Sequence, residues 1–258
     1  EMVVKIVSVY GDNPNQGLPT VSALVQVLDS ATGMPRARRE GDTLTALRTG
    51  AAGGLAADLL ARRGACRVAL FGAGVQGRSQ LEAVMAVRRI ERVDVVDLNP
   101  DAARKLADEI RTWDGAPEAA ASADAAAAVA KADIVLAATT SRSPLFDGRD
   151  LRPGTHVTGV GAFTPEMQEI DPHTIGRARV VVDSREACLA EAGDIIAGKA
   201  VISAEIGEIV NGDHPGRRDD EEITFFKSVG IAAQDAAAAG AALAAAEERG
   251  LGQVLQLA

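Results

Sequence analysis

The residue pattern with the clearest chemistry is Gly72-x-Gly74-x-x-Gly77, which follows the apolar run from Val68 to Phe71. The first glycine of such a turn allows a tight bend, the second lets the backbone approach a pyrophosphate, and the third lets a helix pack on a strand. The N-terminus of the following helix would present unpaired N–H groups to the anion. We therefore predict that this segment binds a dinucleotide, against the alternative of a glycine-rich packing turn.

Asp97 ends the next apolar run and lies about 20 residues beyond the third glycine. A carboxylate at this point accepts hydrogen bonds from the adenosine ribose diol and repels a 2′-phosphate, so NAD(H) is favoured over NADP(H). Leu98 and Asn99 follow, and the next arginine is Arg104, which supports the same preference. The alternative is an aspartate that only caps the next helix, a role for which Asn99 is an equally good candidate.

Other polar residues could take part in catalysis or in ligand binding. Lys5 interrupts a strand of Val, Ile and Ser, and its amine could donate a proton or pair with a carboxylate; otherwise it is an edge-strand lysine that reaches solvent. Arg48 could hold a carboxylate or phosphate in a bidentate fork, or form a surface ion pair. Thr139, Thr140 and Ser141 follow an apolar strand, so they could line a cofactor cleft or only shape a turn.

An alternation of strands and helices must position these residues. Strands alternate with helices at 67–71 and 92–97, and the nearly continuous apolar runs at 133–138, 156–160 and 179–182 indicate a parallel sheet covered on both faces. A last strand is predicted at 222–226, after a polar loop. Helices are predicted at 49–62, 76–89, 101–111, 185–197 and 231–248, and also at the alanine-rich 119–131, since alanine is the best helix former. Two strands at 2–10 and 20–29 are joined by a short loop and should be antiparallel.

The predicted fold class is therefore α/β, with a Rossmann-type parallel-sheet domain at 49–224. This domain is inserted in a smaller, mainly antiparallel α+β domain that 1–48 and 225–258 form together. Because the chain starts at Glu1 with a strand already begun, we expect the smaller domain to be N-terminally incomplete.

Composition narrows the function classes. The 258 residues are 47% apolar and 24% charged, as in an ordinary globular protein, and the net charge of −9 argues against nucleic acid as a partner. Two cysteines form no disulfide framework and the three histidines lie far apart, so we expect a reducing, cytoplasmic location and no metal site. No apolar run reaches the roughly 18 residues of a membrane span, and no leader is recognised, so we expect no membrane partner.

The chain resembles the ornithine cyclodeaminase/μ-crystallin family of NAD(P)-dependent enzymes along essentially its whole length. The resemblance rests on six blocks in order: KIVSV, GLPTV, LTALRTGAAGGLAA, GAGVQGRSQLEA, GAFTPEMQEID and PGRRDDEEITFFKSVG. It implies a Rossmann domain plus a substrate and dimerisation domain whose sheets join across a two-fold axis. A homodimer that binds a small amino or imino acid is the corresponding expectation.

The resemblance also implies roles for single residues. Lys5 would be the acid/base lysine that faces the substrate. Arg48 would hold the substrate carboxylate near the nicotinamide and would also contact the cofactor. The residues that match cofactor-contact positions are Thr20, Val75, Gln76, Asp97, Thr139, Val160 and Ser228, and to these the sequence pattern adds Gly72, Gly74, Gly77 and Thr140.

Two departures from the family pattern bear on the reaction. Family members carry a segment before KIVSV that includes a helix and a further substrate-binding arginine, so we expect an incomplete substrate pocket. Cyclodeaminases have a general-base aspartate at the position of Phe163, and phenylalanine can accept no proton. We therefore expect an NAD(H)-dependent reductase of cyclic imino acids of the Δ1-pyrroline-2-carboxylate type. The alternatives are an alanine dehydrogenase, an ornithine cyclodeaminase, and a non-catalytic nucleotide- or ligand-binding protein of the μ-crystallin kind.

Overall fold

The computed structural model describes residues 1–254, apart from the side chain of Pro14. The chain divides into a large unit, Thr49–Gly230, and a small unit of Glu1–Arg48 and Ile231–Ala258, of which 255–258 lie outside the described residues. The second boundary falls later than the 224/225 boundary placed from the sequence. The reason is that the strand beginning at Thr224 pairs on both sides within the large unit's sheet.

The elements of the described chain are as follows. The strands are β1 (Met2–Val9), β2 (Val21–Leu28), β3 (Pro35–Glu40), β4 (Arg67–Phe71), β5 (Arg92–Val96), β6 (Glu118–Ala121), β7 (Ile134–Ala137), β8 (His156–Gly159), β9 (Arg179–Val182), β10 (Ile202–Glu205) and β11 (Thr224–Lys227). The helices are α1 (Asp42–Leu60), α2 (Val75–Val87), α3 (Pro100–Ile110), α4 (Ala125–Val129), α5 (Pro172–Arg177), α6 (Arg185–Glu191), α7 (Gly193–Gly198), α8 (Ile206–Val210) and α9 (Ala232–Glu248).

The large unit is built on a parallel sheet with strand order β10-β9-β11-β8-β7-β4-β5-β6. Alternate residues of its central strands enter two separate cores: Val68 and Leu70 of β4 pack on one face, and Ala69 and Phe71 on the other. Burial on both faces explains why these strands read as continuous apolar runs. The predicted Rossmann-type α/β architecture is confirmed.

The strand order reverses at the pair β4 and β7. From β4 the chain proceeds outward through β5 and β6, and it then returns to add β7 and β8 on the other side. In open α/β sheets such a reversal leaves a crevice at the carboxyl ends of the two central strands, where ligands bind.

The small unit contains an antiparallel sheet with the order β1-β2-β3, and α9 packs on it. The buried face of this sheet is formed by Val25 and Val27, which contact Ala239 of α9 and Leu44 of α1. β1 is an edge strand, and the side chains on its other face, such as Val4 and Ile6, are exposed. The predicted antiparallel pairing of the first two strands is confirmed, with Lys5 opposite Val25.

Three predicted helix bounds are wrong. The alanine-rich 119–131 is a strand and a short helix, because β6 pairs with β5 and Asp124 then caps α4 by accepting from the Ala127 N–H. The helix predicted at 49–62 starts at Asp42, so Arg48 lies inside α1 and not at its start. The helix predicted at 185–197 divides into α6 and α7 at Ala192.

Candidate dinucleotide and substrate sites

Cofactor-contact positions predicted in the large unit lie along one edge of its sheet. Gly72, Asp97, Thr139, Val160 and Ser228 each come directly after, or within two residues of, the carboxyl end of a strand: β4, β5, β7, β8 and β11 in that order. These five strands are contiguous in the sheet. Residues far apart in the sequence therefore share the edge at which a parallel sheet binds its ligand.

The three glycines of the turn differ in what a side chain at each position would contact. Gly72 has φ +97°, and a Cβ there would lie 2.4 Å from the Ala138 carbonyl oxygen, so the turn at the reversal point requires glycine. A Cβ on Gly77 would lie 2.0 Å from the Gly72 carbonyl oxygen, so this glycine lets α2 pack on the turn. A Cβ on Gly74 would meet no atom within 4 Å, so the open side of the turn is here.

The start of α2 has the properties of an anion site. Gly74 is its N-cap and provides no side-chain hydrogen bond, and the first turn holds no acidic residue. Val75 is largely exposed, and the side-chain oxygen of Gln76 is buried without a hydrogen-bond partner among the residues described. Helix-start N–H groups beside an open glycine fit a dinucleotide pyrophosphate, which such a helix start stabilises, whereas the acceptor oxygen of Gln76 would need a donor such as a ribose hydroxyl.

Asp97 is held firmly at the end of β5. One carboxylate oxygen accepts from the Ala73 N–H at 2.8 Å, and the other accepts from the Asn99 N–H at 2.8 Å. The carboxylate therefore ties the glycine turn to the neighbouring strand and remains half-exposed. The helix-capping role falls to Asn99, whose side chain accepts from the Asp101 and Ala102 N–H groups.

Thr139 is tied to the loop after β8 by Glu169. One oxygen of this buried carboxylate accepts from the Thr139 N–H at 2.6 Å and from its hydroxyl at 2.8 Å. The other oxygen accepts from the Gly161 N–H at 2.7 Å and the Ala162 N–H at 3.2 Å. Glu169 thus clamps together the loops that carry Thr139 and Val160, whereas Thr140 is exposed beside them.

A buried ion pair lies beside this clamp. The Lys227 ammonium and the Asp194 Oδ2 are 3.2 Å apart, both side chains are fully buried, and the contact lacks hydrogen-bond geometry. Asp194 Oδ1 accepts from the Glu169 N–H at 2.7 Å. Burial raises the pKa of the Glu169 carboxyl, while the charge of Lys227 opposes that rise. These groups are too enclosed to meet a ligand directly, and their role is to fix the two loops.

Ser228 is positioned by another buried carboxylate. Asp183 Oδ2 accepts from the Ser228 hydroxyl at 2.7 Å and from the Gly230 N–H at 2.7 Å. Cys188 lies against the same aspartate, and burial together with that negative charge raises the pKa of its thiol to about 12. The thiol is therefore not a nucleophile at neutral pH.

In the small unit, Lys5 and Arg48 contact one carboxylate. The Lys5 Nζ lies 3.0 Å from Asp235 Oδ1, and the Arg48 Nε lies 3.3 Å from the same oxygen. Gln234, the preceding residue of α9, accepts from Arg48 Nη1 at 3.1 Å. Asp235 and Gln234 were not found from the sequence; the available signal was an acid in the first turn of an alanine-rich helix.

Two further predicted positions lie in loops. Thr20 directly precedes β2, is half-buried, and its carbonyl accepts from the Tyr10 N–H at 2.8 Å. Phe163 is 39% exposed in the loop after β8, and its N–H donates to the Gly161 carbonyl. Within residues 1–254, no helix is both long and apolar enough to cross a bilayer.

Comparisons of sequence and of structure both find similar known proteins. The chain is 39% identical over 261 aligned residues to a Δ1-pyrroline-2-carboxylate reductase of Bacillus cereus, covering 98% of this chain and 80% of that protein. The solved structure of Thermococcus litoralis Δ1-pyrroline-2-carboxylate reductase in complex with NADH and L-proline matches with a TM-score of 0.94 and 42% identity, over 98% of this chain and 80% of that one. An archaeal alanine dehydrogenase dimer with bound NAD matches with a TM-score of 0.92 and 35% identity, over 99% and 80%.

The family assignment follows from these likenesses and from a family model. That model, for the ornithine cyclodeaminase/mu-crystallin family, matches residues 1–249. The chain belongs to the ornithine cyclodeaminase/mu-crystallin family.

Proposed function

We propose that this protein is an NAD(H)-dependent reductase that converts a cyclic imino acid of the Δ1-pyrroline-2-carboxylate type into an L-amino acid. Two relatives with this activity in their names cover nearly the whole chain, and one of them binds NADH together with L-proline. The structural observation that carries the proposal is the convergence of Lys5 and Arg48 on Asp235, since a proton donor and a carboxylate clamp are what imine reduction needs.

The large unit would hold the dinucleotide. The start of α2 would bind the pyrophosphate, and Asp97 would accept hydrogen bonds from the adenosine ribose. A preference for NAD(H) is supported by the electrostatics after β5: Asp97 carries the negative charge, Leu98 is fully exposed, and Arg104 is paired with Asp101. When bound, NADH supplies the hydride that reduces the imine carbon.

This chain's own residues would bind the substrate and transfer a proton to it. Arg48 would bind the substrate carboxylate through Nη2, which has no hydrogen-bond partner among the residues described and would donate charge-assisted hydrogen bonds. Lys5 would provide the proton at the imine nitrogen. The carbon–nitrogen double bond thereby becomes a single bond, with one hydride added to carbon and one proton to nitrogen.

The proposed assembly is a homodimer formed through β1. This strand is an unpaired edge of eight residues, and Val4, Ile6 and Val9 expose apolar side chains along it. A long apolar edge strand is an unfavourable surface in a monomer and a favourable one for pairing with a second copy. The similar archaeal alanine dehydrogenase is a dimer, which supports the proposal.

The test is turnover on a substrate panel followed by NADH absorbance. Δ1-Pyrroline-2-carboxylate should be reduced with saturation kinetics, and chiral chromatography should identify L-proline. Faster oxidation of NADH with pyruvate and ammonia would favour an alanine dehydrogenase instead. Release of ammonia from ornithine would favour a cyclodeaminase, against the expectation from Phe163. NADH binding without turnover on any of these substrates would favour a binding protein.

A further inference from the structure

Asp235 lies on the face of α9 that packs against the small sheet. Ala238, Ala239 and Ala242 follow it at helical spacing, and they contact the core formed by Val25 and Val27. A carboxylate on such a face costs free energy unless it is paired. The Asp235 side chain is 14% exposed, so its two cationic partners are required for it to remain there.

Lys5 reaches Asp235 from the same face of the sheet. Burial alternates along the start of β1, and Lys5 shares the more buried side with Val3. Its side chain is 12% exposed, so the ammonium has limited access to water and is fixed by the carboxylate. The edge-strand lysine that reaches solvent, which was the alternative from sequence, does not describe this position.

Arg48 is held by α9 at two points. Its Nε faces Asp235 Oδ1 and its Nη1 donates to Gln234, so both contacts come from the first turn of one helix. The side chain is 13% exposed. Asp235 and Gln234 thus orient the guanidinium plane, and the free Nη2 edge is the part left for an anionic ligand.

We propose that Asp235 is a positioning residue for the imine reduction. The Oδ1 atom of Asp235 fixes the Lys5 ammonium relative to the Arg48 guanidinium. The negative charge of Asp235 also offsets part of the attraction of these two cations for anions. The inference rests on the proposed function, because Lys5 and Arg48 have the substrate as their ligand only if the chain is such a reductase.

Two opposite effects follow from removing the charge. Lys5 donates a charge-assisted hydrogen bond to Asp235, and such bonds are about twice as strong as neutral ones, whereas Arg48 Nε faces Asp235 as an ion pair without hydrogen-bond geometry; an amide at position 235 therefore holds both cations less firmly. A misplacement of about 1 Å can reduce turnover roughly a hundredfold. The two cations, however, then attract a substrate carboxylate more strongly, because the Asp235 charge no longer competes for them. We therefore expect kcat to fall while KM for the imino acid does not rise.

The test compares Asp235→Asn and Asp235→Glu with the matched control Glu247→Gln. Glu247 is an acid on the same helix that pairs with Arg36 at 2.9 Å on the surface. The measurements are kcat, KM for Δ1-pyrroline-2-carboxylate, and the Kd of NADH by fluorescence. Asp235→Asn should lower kcat at least about tenfold, with KM no higher than in the wild type and NADH binding unchanged. Asp235→Glu should retain more activity than Asp235→Asn, and Glu247→Gln should match the wild type.

Results that contradict the positioning role of Asp235 can be distinguished from a failure of the proposed function. Wild-type kcat in Asp235→Asn, or a lower kcat with a higher KM and weaker NADH binding, would show that Asp235 has only a structural role or none. A wild type that reduces no imino acid would overturn the proposed function instead. In that case calorimetry with pyrrole-2-carboxylate, a stable planar analogue, still decides the inference: Asp235→Asn should bind this anion at least as tightly as the wild type, and weaker binding would overturn it.

Discussion

Replacing Gly74 by alanine separates folding of the glycine turn from binding of the cofactor. Gly74 has φ −88° and ψ −173°, which any residue can adopt, and an added Cβ would meet no atom of the described residues within 4 Å. The loss of a glycine N-cap costs less than about 1 kcal/mol. The reduced entropy of the unfolded chain returns roughly 0.4–1 kcal/mol, so the free energy of unfolding should hardly change.

The same methyl group should weaken NADH binding, because it occupies the open side of the turn. Loss of one backbone hydrogen bond to a charged phosphate is worth about 1.5–3 kcal/mol, which is roughly a ten- to hundredfold increase in Kd. The assay is a fluorescence titration with NADH, combined with thermal unfolding of the same sample.

Two further glycines provide the controls. Gly64 also has open space around it, so Gly64→Ala should leave both NADH binding and Tm unchanged. Gly77→Ala would place its methyl 2.0 Å from the Gly72 carbonyl oxygen, so Tm and NADH affinity should fall together. Wild-type NADH affinity in Gly74→Ala would refute a pyrophosphate at this turn.

Three other predictions concern the cofactor preference, the assembly and the pH dependence of stability. Asp97→Asn should reduce the preference for NADH over NADPH at least about fivefold, since a charge repulsion of about 1–4 kcal/mol is removed; equal Kd ratios in the two proteins would refute this. Ile6→Lys should sediment as a monomer while the wild type sediments as a dimer, because Ile6 is 66% exposed on the proposed dimer strand; Met34→Lys, at another exposed apolar residue, should remain dimeric. Burial lowers the pKa of His156 to about 3 from 6.5, so between these pH values the unfolded chain binds a proton that the folded chain does not. The free energy of unfolding therefore decreases as the pH is lowered through this range, by up to about 1.4 kcal/mol per pH unit. Urea unfolding of His156→Gln across this range should show a shallower dependence on pH, and an unchanged slope would contradict the linkage.

The nucleotide-binding part of the large unit could be predicted because its elements have local signals. The glycine turn, the apolar strands and the aspartate after β5 each follow from residue type and spacing. The alanine-rich 119–131 could not be predicted in the same way. Helix propensity is a weak preference that pairing in a sheet overrides, and Ala119 and Ala120 are held opposite Val93 and Asp94 of β5.

The site residues also differ in whether the sequence gives a local signal for them. Lys5 and Arg48 stand out by type, but the residue that joins them, Asp235, is 230 positions away from Lys5. Glu169 and Asp183 were missed for a similar reason, because their backbone partners lie in loops that only the folded sheet brings together. Contacts between distant segments have no periodic signal in one sequence, so carboxylates that fix other groups are the hardest to recognise.

The central claim is that this chain reduces a cyclic imino acid with NADH and uses Lys5 to do so. The most direct test measures kcat/KM for Δ1-pyrroline-2-carboxylate and the Kd of NADH in the wild type and in Lys5→Ala. We expect saturable NADH oxidation by the wild type, and a loss of at least about a hundredfold in kcat/KM for Lys5→Ala with NADH binding unchanged. Wild-type imine reduction by Lys5→Ala with normal NADH binding would contradict it.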